Sequence, residues 1–173
     1  MNLLHELVEH KSVSLVGPLG ILLDTGLGEK IDSADVVIRM GCDWPTCGKA
    51  VDASPDIGTR NDVVAIHAFE SYDTNKLSEL LDLKLVLWFT QCPKETCRYL
   101  NLMDIKIMEM VCVPETTVFT TVYLSLLESE ASHIFVCGMK FREYNPNNRI
   151  FHENHDMRVE CASHVGMMSV KVI

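Results

Sequence analysis

The sequence predicts an α/β fold built on a mostly parallel sheet flanked by helices. Two observations carry this expectation. Short apolar runs alternate with helical patterns from one end of the chain to the other, and most of those runs are apolar on both faces, as in the strands of a buried, largely parallel sheet. Size agrees with it: 173 residues with 47% hydrophobic content suit one domain over residues 1–173, able to bury a sizeable core. No repeat, low-complexity tract or Gly/Ser linker divides the chain.

The strands are expected at Ser12 to Val16, Ala34 to Met40, Val63 to His67, Lys84 to Thr90, Ile105 to Val113 and His133 to Cys137. Between them, Asp73 to Leu81 carries Leu77, Leu80 and Leu81 at helical spacing after an Asp-Thr-Asn start that supplies capping oxygens. Glu115 to Glu130 is the clearer helix. Val118, Val122 and Leu126, with Phe119, Tyr123 and Leu127, make a broad apolar face, and Pro114 sits where a helix can start. Gly138 follows the last of these strands, at the carboxyl end where open α/β sheets place their ligand loops.

Charge and composition exclude several classes of function. With 15 basic against 24 acidic residues, a net charge of −9 and no basic block, the chain lacks the electrostatic source that nucleic-acid binding requires. The N-terminus has no basic region ahead of a long apolar run, and Glu6, Glu9, His10 and Lys11 interrupt it, so it does not read as a signal peptide. Apolar runs such as Leu85 to Phe89 are far shorter than the ~20 residues of a membrane span. Seven cysteines are an odd number, and Cys112 and Cys137 lie within runs that read as buried strands, which points to free thiols in a reducing, cytoplasmic setting. Cys42 with Cys47 and Cys92 with Cys97 form the alternative, two halves of a zinc site, although structural zinc pairs commonly use shorter loops.

The first strand runs into Gly17-Pro18-Leu19-Gly20, and Gly26-Leu27-Gly28 follows. A glycine-rich turn at this place lets backbone N–H groups approach a phosphate, while the same glycines could serve backbone geometry alone. Neither the G-x-G-x-x-G dinucleotide fingerprint nor a Gly-Lys-Ser/Thr phosphate loop is present.

The run Val16-Gly17-Pro18-Leu19-Gly20-Ile21-Leu22, then Gly26-Leu27-Gly28, Asp32 and Ile38-Arg39-Met40, resembles the large sialylmotif of the eukaryotic sialyltransferases, V-G-N-S-G-N-L, G-x-G, D and M-R-M. Asp56-Ile57-Gly58-Thr59-Arg60 is similar to the D-V-G-x-R that closes that motif. Further on, Pro114-Glu115-Thr116-Thr117 and Ile134-Phe135-Val136-Cys137-Gly138 resemble the small sialylmotif, and His155 to Glu160 has the H-x4-E form of the very small one. The likeness covers about Ser12 to Glu160, in the family's order. It implies a Rossmann-like sheet of GT-A-like type, a nucleotide-sugar donor, CMP-sialic acid, and a glycan acceptor.

What the resemblance implies for chemistry is a single inverting displacement that needs no metal or other cofactor. By position His155 is the general base, and an imidazole at a helix start would be held in its neutral, proton-accepting form. Gly17, Gly20, Gly41, Thr116, Thr117 and Gly138 map to the donor side, and Glu160, five residues beyond His155, takes a structural role. His152 and His155 with Glu153, Asp156 and Glu160 could instead be a metal cluster, but the order is not the H-E-x-x-H of a helical zinc site. His152 is also the candidate to replace a further family histidine, whose aligned neighbours here are Glu143 and Tyr144.

The chain departs from the family at several of these positions. Two asparagines that hold the donor correspond to Pro18 and Gly41, and the small motif's Ser and Gly correspond to Glu115 and Thr117. The disulfide that joins the large and small motifs would fall on Val13 and Ala131, which cannot form it. The expectations are therefore a weak sialyltransferase or, as the alternative, a catalytically inactive binding protein on the same fold with a protein partner.

Overall fold

The computed structural model describes residues 2–17, 22, 24–40, 54–66, 83–89, 91–111, 118–138 and 167–171. Seven strands are hydrogen bonded into one sheet: β1 (Ser12–Val16), β2 (Val36–Met40), β3 (Val63–Ile66), β4 (Leu85–Trp88), β5 (Lys106–Glu109), β6 (His133–Cys137) and β7 (Met167–Lys171). Their order is β5-β4-β3-β2-β1-β6-β7. The first six run parallel, and β7 joins β6 antiparallel at the edge. The predicted α/β, Rossmann-like arrangement is therefore the observed one.

Burial explains why these segments are strands. Every residue of β2, β3 and β4 is buried, so each must carry apolar side chains on both faces, and the β-branched residues of Val36-Val37-Ile38 and Val63-Val64 fit such a pleated surface. At the edge, β5 buries none of its four residues and is shorter than the Ile105 to Val113 run suggests. Lys106 and Glu109 are exposed and Ile107 and Met108 half-buried, so this run reports neither full burial nor where pairing ends.

Helices cover both faces. Helix α1 (Leu3–Val8) begins at Asn2, whose side-chain oxygen accepts from the amides of Leu4 (3.1 Å) and His5 (3.3 Å). Helix α5 (Val118–Leu127) lies within the expected Glu115 to Glu130 segment. Leu4 and Val8 of α1 and Phe119, Val122, Tyr123 and Leu126 of α5 pack with Val13, Leu15, Ile38, Val63, Leu87 and Ile134. The opposite face is covered by α2 (Gly28–Asp32), α3 (Ser54–Ile57) and α4 (Lys94–Leu102). Ile31 and Ile57 meet Val16, Val37 and Cys137, while Leu100 meets Val64, Ile66, Val86 and Trp88. The expected helix at Asp73 to Leu81 lies outside the described residues. Among the described residues, no helix is long and apolar enough to cross a membrane.

Candidate functional site

The strand order reverses at β1. Strands β2 to β5 extend from one side of it in sequence order, and the chain then returns through α5 to place β6 on the other side. At such a switch point the connections leaving the two neighbouring strands diverge to opposite faces, which opens a crevice at their carboxyl ends. Gly17 ends β1 and Gly138 ends β6, and the parallel register sets Val16 beside Cys137. The Gly17 amide donates to the Cys137 carbonyl at 2.8 Å. Two residues singled out in distant parts of the sequence thus meet at the mouth of the crevice.

Glycine is required at the second of these positions. Gly138 has φ +67°, and a Cβ there would stand 2.9 Å from Leu22 Cδ1 and 3.0 Å from the Gly17 carbonyl oxygen. The backbone of the two strand ends can approach a ligand, or each other, only because no side chain intervenes. The Cys137 thiol just below is fully buried, and burial pushes its pKa up to about 12 against smaller opposing effects of Arg39 and Lys30. It is a packing group rather than a nucleophile.

The other motif residues form a brace beneath the crevice. Arg39, in the middle of the sheet with a fully buried side chain, donates from Nε to the Arg60 carbonyl and from Nη2 to the Ile57 carbonyl, both at 2.8 Å, and lies 3.7 Å from Asp32 Oδ1. Asp32 accepts from the Thr59 amide (2.7 Å) and the Arg60 amide (3.1 Å). Arg60 reaches back to the carbonyls of Asp32, Ala34 and Asp35 and pairs with Asp62 at 2.8 Å. Asp62 in turn accepts from the Val37 amide (3.0 Å) and Lys84 (2.6 Å). The segment 56–62 is thereby fastened to the chain leaving β1 and to the start of β2.

Gly26 and Gly28 divide the work of the second glycine pair. Gly26 adopts φ +65°, while a Cβ on Gly28 would strike the carbonyl oxygens of Ser54 and Pro55 and the Gly58 amide nitrogen. Asp56 accepts from the amides of Asp24 (2.8 Å) and Gly26 (2.7 Å), and these bonds hold its carboxyl below the ordinary value. Sequence reading placed Asp32, Arg39, Asp56 and Arg60 within a motif but assigned them no role. Their work is long-range bonding between segments some 20 to 30 residues apart, which no local spacing announces.

Of the expected site residues, Gly17 and Gly138 are brought together. Gly20, Gly41, Thr116, Thr117, His155 and Glu160 lie outside the described residues, as do Pro18, Glu115 and the candidate metal cluster around His152. Cys92, Cys97 and Cys137 are free thiols, and the partners of the proposed zinc pair, Cys42 and Cys47, are also outside the described residues. Val13 and Ala131 share one apolar cluster. Among the described residues, the ligand atoms of Glu9, His10 and Glu130 come within metal-binding reach of one another, but all three are exposed and lie at the amino ends of β1 and β6, opposite the crevice. An open depression of about 600 Å³ beside α4 and β5 is lined by Gln91, Cys92, Lys94, Cys97 and Arg98 among others; it holds one half of the alternative zinc pair and none of the residues expected on the donor side.

Comparison with known proteins supplies what the described crevice alone does not. The family model for glycosyltransferase family 29 (sialyltransferase) matches residues 7–156, which spans both sides of the crevice and the brace beneath it. No curated protein matches the chain.

Proposed function

This chain belongs to glycosyltransferase family 29, the sialyltransferases, and from that membership we propose that the crevice between β1 and β6 binds the CMP portion of a CMP-sialic acid donor. The observation that carries the reading is the meeting of Gly17 and Gly138 at the topological switch point, where open α/β sheets bind their ligands. In this reading a phosphate is held near the two strand ends by backbone N–H groups rather than by side chains. On the family's pattern His155 removes the proton from an acceptor hydroxyl as it attacks the anomeric carbon and CMP departs. Glycan hydroxyls are the acceptors, and no metal takes part. The free thiols, with Val13 and Ala131 at the family's disulfide positions, support a reducing compartment.

Pro18 and Gly41 stand where the family has asparagines, and Glu115 where it has serine. A base can accept its proton only as fast as the leaving phosphate is stabilised, and losing one such donor costs on the order of 10²–10³ in rate. Transfer is therefore slow. These substitutions also favour the second reading, a protein that binds the nucleotide or a protein partner without turnover.

Calorimetric titration with CMP and CMP-sialic acid tests donor binding, and hydrolysis of CMP-sialic acid tests turnover. Binding is expected, with slow hydrolysis that His155→Ala removes and Gly41→Asn raises. Binding with no hydrolysis in any variant selects the inactive reading. No binding of either ligand rejects the donor site.

A further inference from the structure

Leu22 closes the inner wall of the crevice. It is 1% exposed and packs with Val16, Ile31, Val37, Ile57 and Cys137, and its Cδ1 atom takes up the space that a Cβ on Gly138 would need. A turn just beyond it sets its position. The Leu22 carbonyl accepts from the Thr25 amide (3.2 Å) and from Thr25 Oγ1 (2.5 Å). That turn is held from outside, because Asp56 Oδ2 accepts from the Asp24 amide and Oδ1 from the Gly26 amide, so both carboxylate oxygens are spent on its backbone. Gly26 adopts φ +65°, a conformation that glycine takes without strain.

We propose that Asp56 is a positioning residue for the crevice: it latches the 24–26 turn so that Leu22 stays against Val16, Cys137 and Gly138 at the two strand ends, and release of the latch opens the crevice while the rest of the sheet stays packed. The path runs through contiguous contacts, from Asp56 to the turn, from the turn to the Leu22 carbonyl, and from the Leu22 side chain to the two strand ends. Asp56 differs in this from Asp62 and Arg39, whose bonds tie β2 to the segment leading into β3. The consequence for nucleotide binding rests on the sialyltransferase reading, whereas the latch does not.

Two buried thiols report the difference. Cys137 is fully buried and packs in the Leu22 cluster, while Cys92 is 4% exposed and packs in the separate cluster around Trp88 and Leu100. Burial pushes both thiols up to about 12, with the Cys97 thiol adding to the shift at Cys92; Cys137 reacts only when its surroundings open, and Cys92, which lines the open depression beside α4, is the reference remote from the latch.

The experiment follows iodoacetamide labelling of each cysteine by peptide mass spectrometry in the full chain and in Asp56→Asn, Asp56→Ala and Leu22→Ala, alongside melting temperature and CMP titration. Hydrogen bonds to a charged group are of a strength that makes their loss worth about tenfold or more in an opening equilibrium. Asp56→Ala and Leu22→Ala should therefore raise Cys137 labelling by about tenfold while Cys92 stays within about twofold, with Asp56→Asn between them. The double variant should not exceed Leu22→Ala alone, since both changes act on one contact. Parallel acceleration of Cys92, unchanged Cys137 or multiplicative effects would overturn the latch. Should Asp56→Ala fail to fold, Asp56→Asn and Thr25→Val carry the same comparison. If the unaltered chain binds CMP, Asp56→Asn should weaken that binding; if it binds none, the donor reading fails and the ratio of the two thiols still decides the latch.

Discussion

A buried hydroxyl in the middle of β1 shows how finely single residues are balanced here. Ser14 is fully buried between Val13 and Leu15, and its Oγ makes no hydrogen bond to any described residue. A hydroxyl taken out of water without a partner costs about 1–3 kcal/mol, so replacing it by hydrogen, as alanine does, removes that penalty and leaves a void of only one oxygen atom. Ser14→Ala is expected to stabilise the chain by about 1 kcal/mol, read as a rise in the denaturation midpoint at unchanged slope. A loss of stability would mean that the hydroxyl has a partner in the folded chain. Gly138 illustrates the opposite constraint, where an added methyl group would meet Leu22 and the Gly17 carbonyl in a backbone conformation that already disfavours it.

Between elements, the brace of carboxylates and guanidinium groups joins strands that hydrophobic packing alone would leave free to slip. Asp62 sits just before β3 with its side chain 1% exposed, and it accepts from β2 through the Val37 amide as well as from Arg60 and Lys84. Removing it orphans a buried amide, whereas Lys84 is about half exposed and can return to water. Asp62→Ala should therefore cost about 2 kcal/mol or more, and Lys84→Ala less than about 1 kcal/mol, in chemical denaturation. Equal effects of the two substitutions would show that the value of Asp62 lies in its exposed ion pair and not in its bond to β2. The short helices depend on the same long-range fastening. Helix α2 has no side-chain N-cap and spans five residues, too few to stand alone, and its start is held where Gly28 abuts α3.

For the whole molecule, the acidic groups tie stability to pH. Asp35 is held below the ordinary carboxylate value of 3.8, first by the Ser12 amide and then by the Ser12 hydroxyl, and Asp56 is held below it by the Gly26 and Asp24 amides. A folded pKa below the unfolded one gives stability that is present above the unfolded value and is lost as pH falls through the folded value. Melting temperature should thus decline below about pH 4, and Asp35→Asn should flatten that decline, which thermal scans between pH 3 and pH 7 will check. The parallel core was legible in the sequence because burial on both faces demands runs that are mostly apolar on both faces, which is why Ser12 to Val16 and His133 to Cys137 coincide with β1 and β6. The short helices α1, α2 and α3 were not, since each owes its existence to a cap or a neighbour rather than to a periodic face, and neither was the antiparallel β7. Gly17 and Gly138 could be named from the sequence as glycines ending strands, and the motif order marked them as parts of one site. That they meet, that Leu22 packs at Gly138, and that Asp56 accepts from the turn beyond Leu22 was decided only by the tertiary structure. Local spacing constrains contacts a few residues apart, whereas strand order and the bonds between remote segments follow from how the whole chain buries its apolar surface and satisfies its backbone at once.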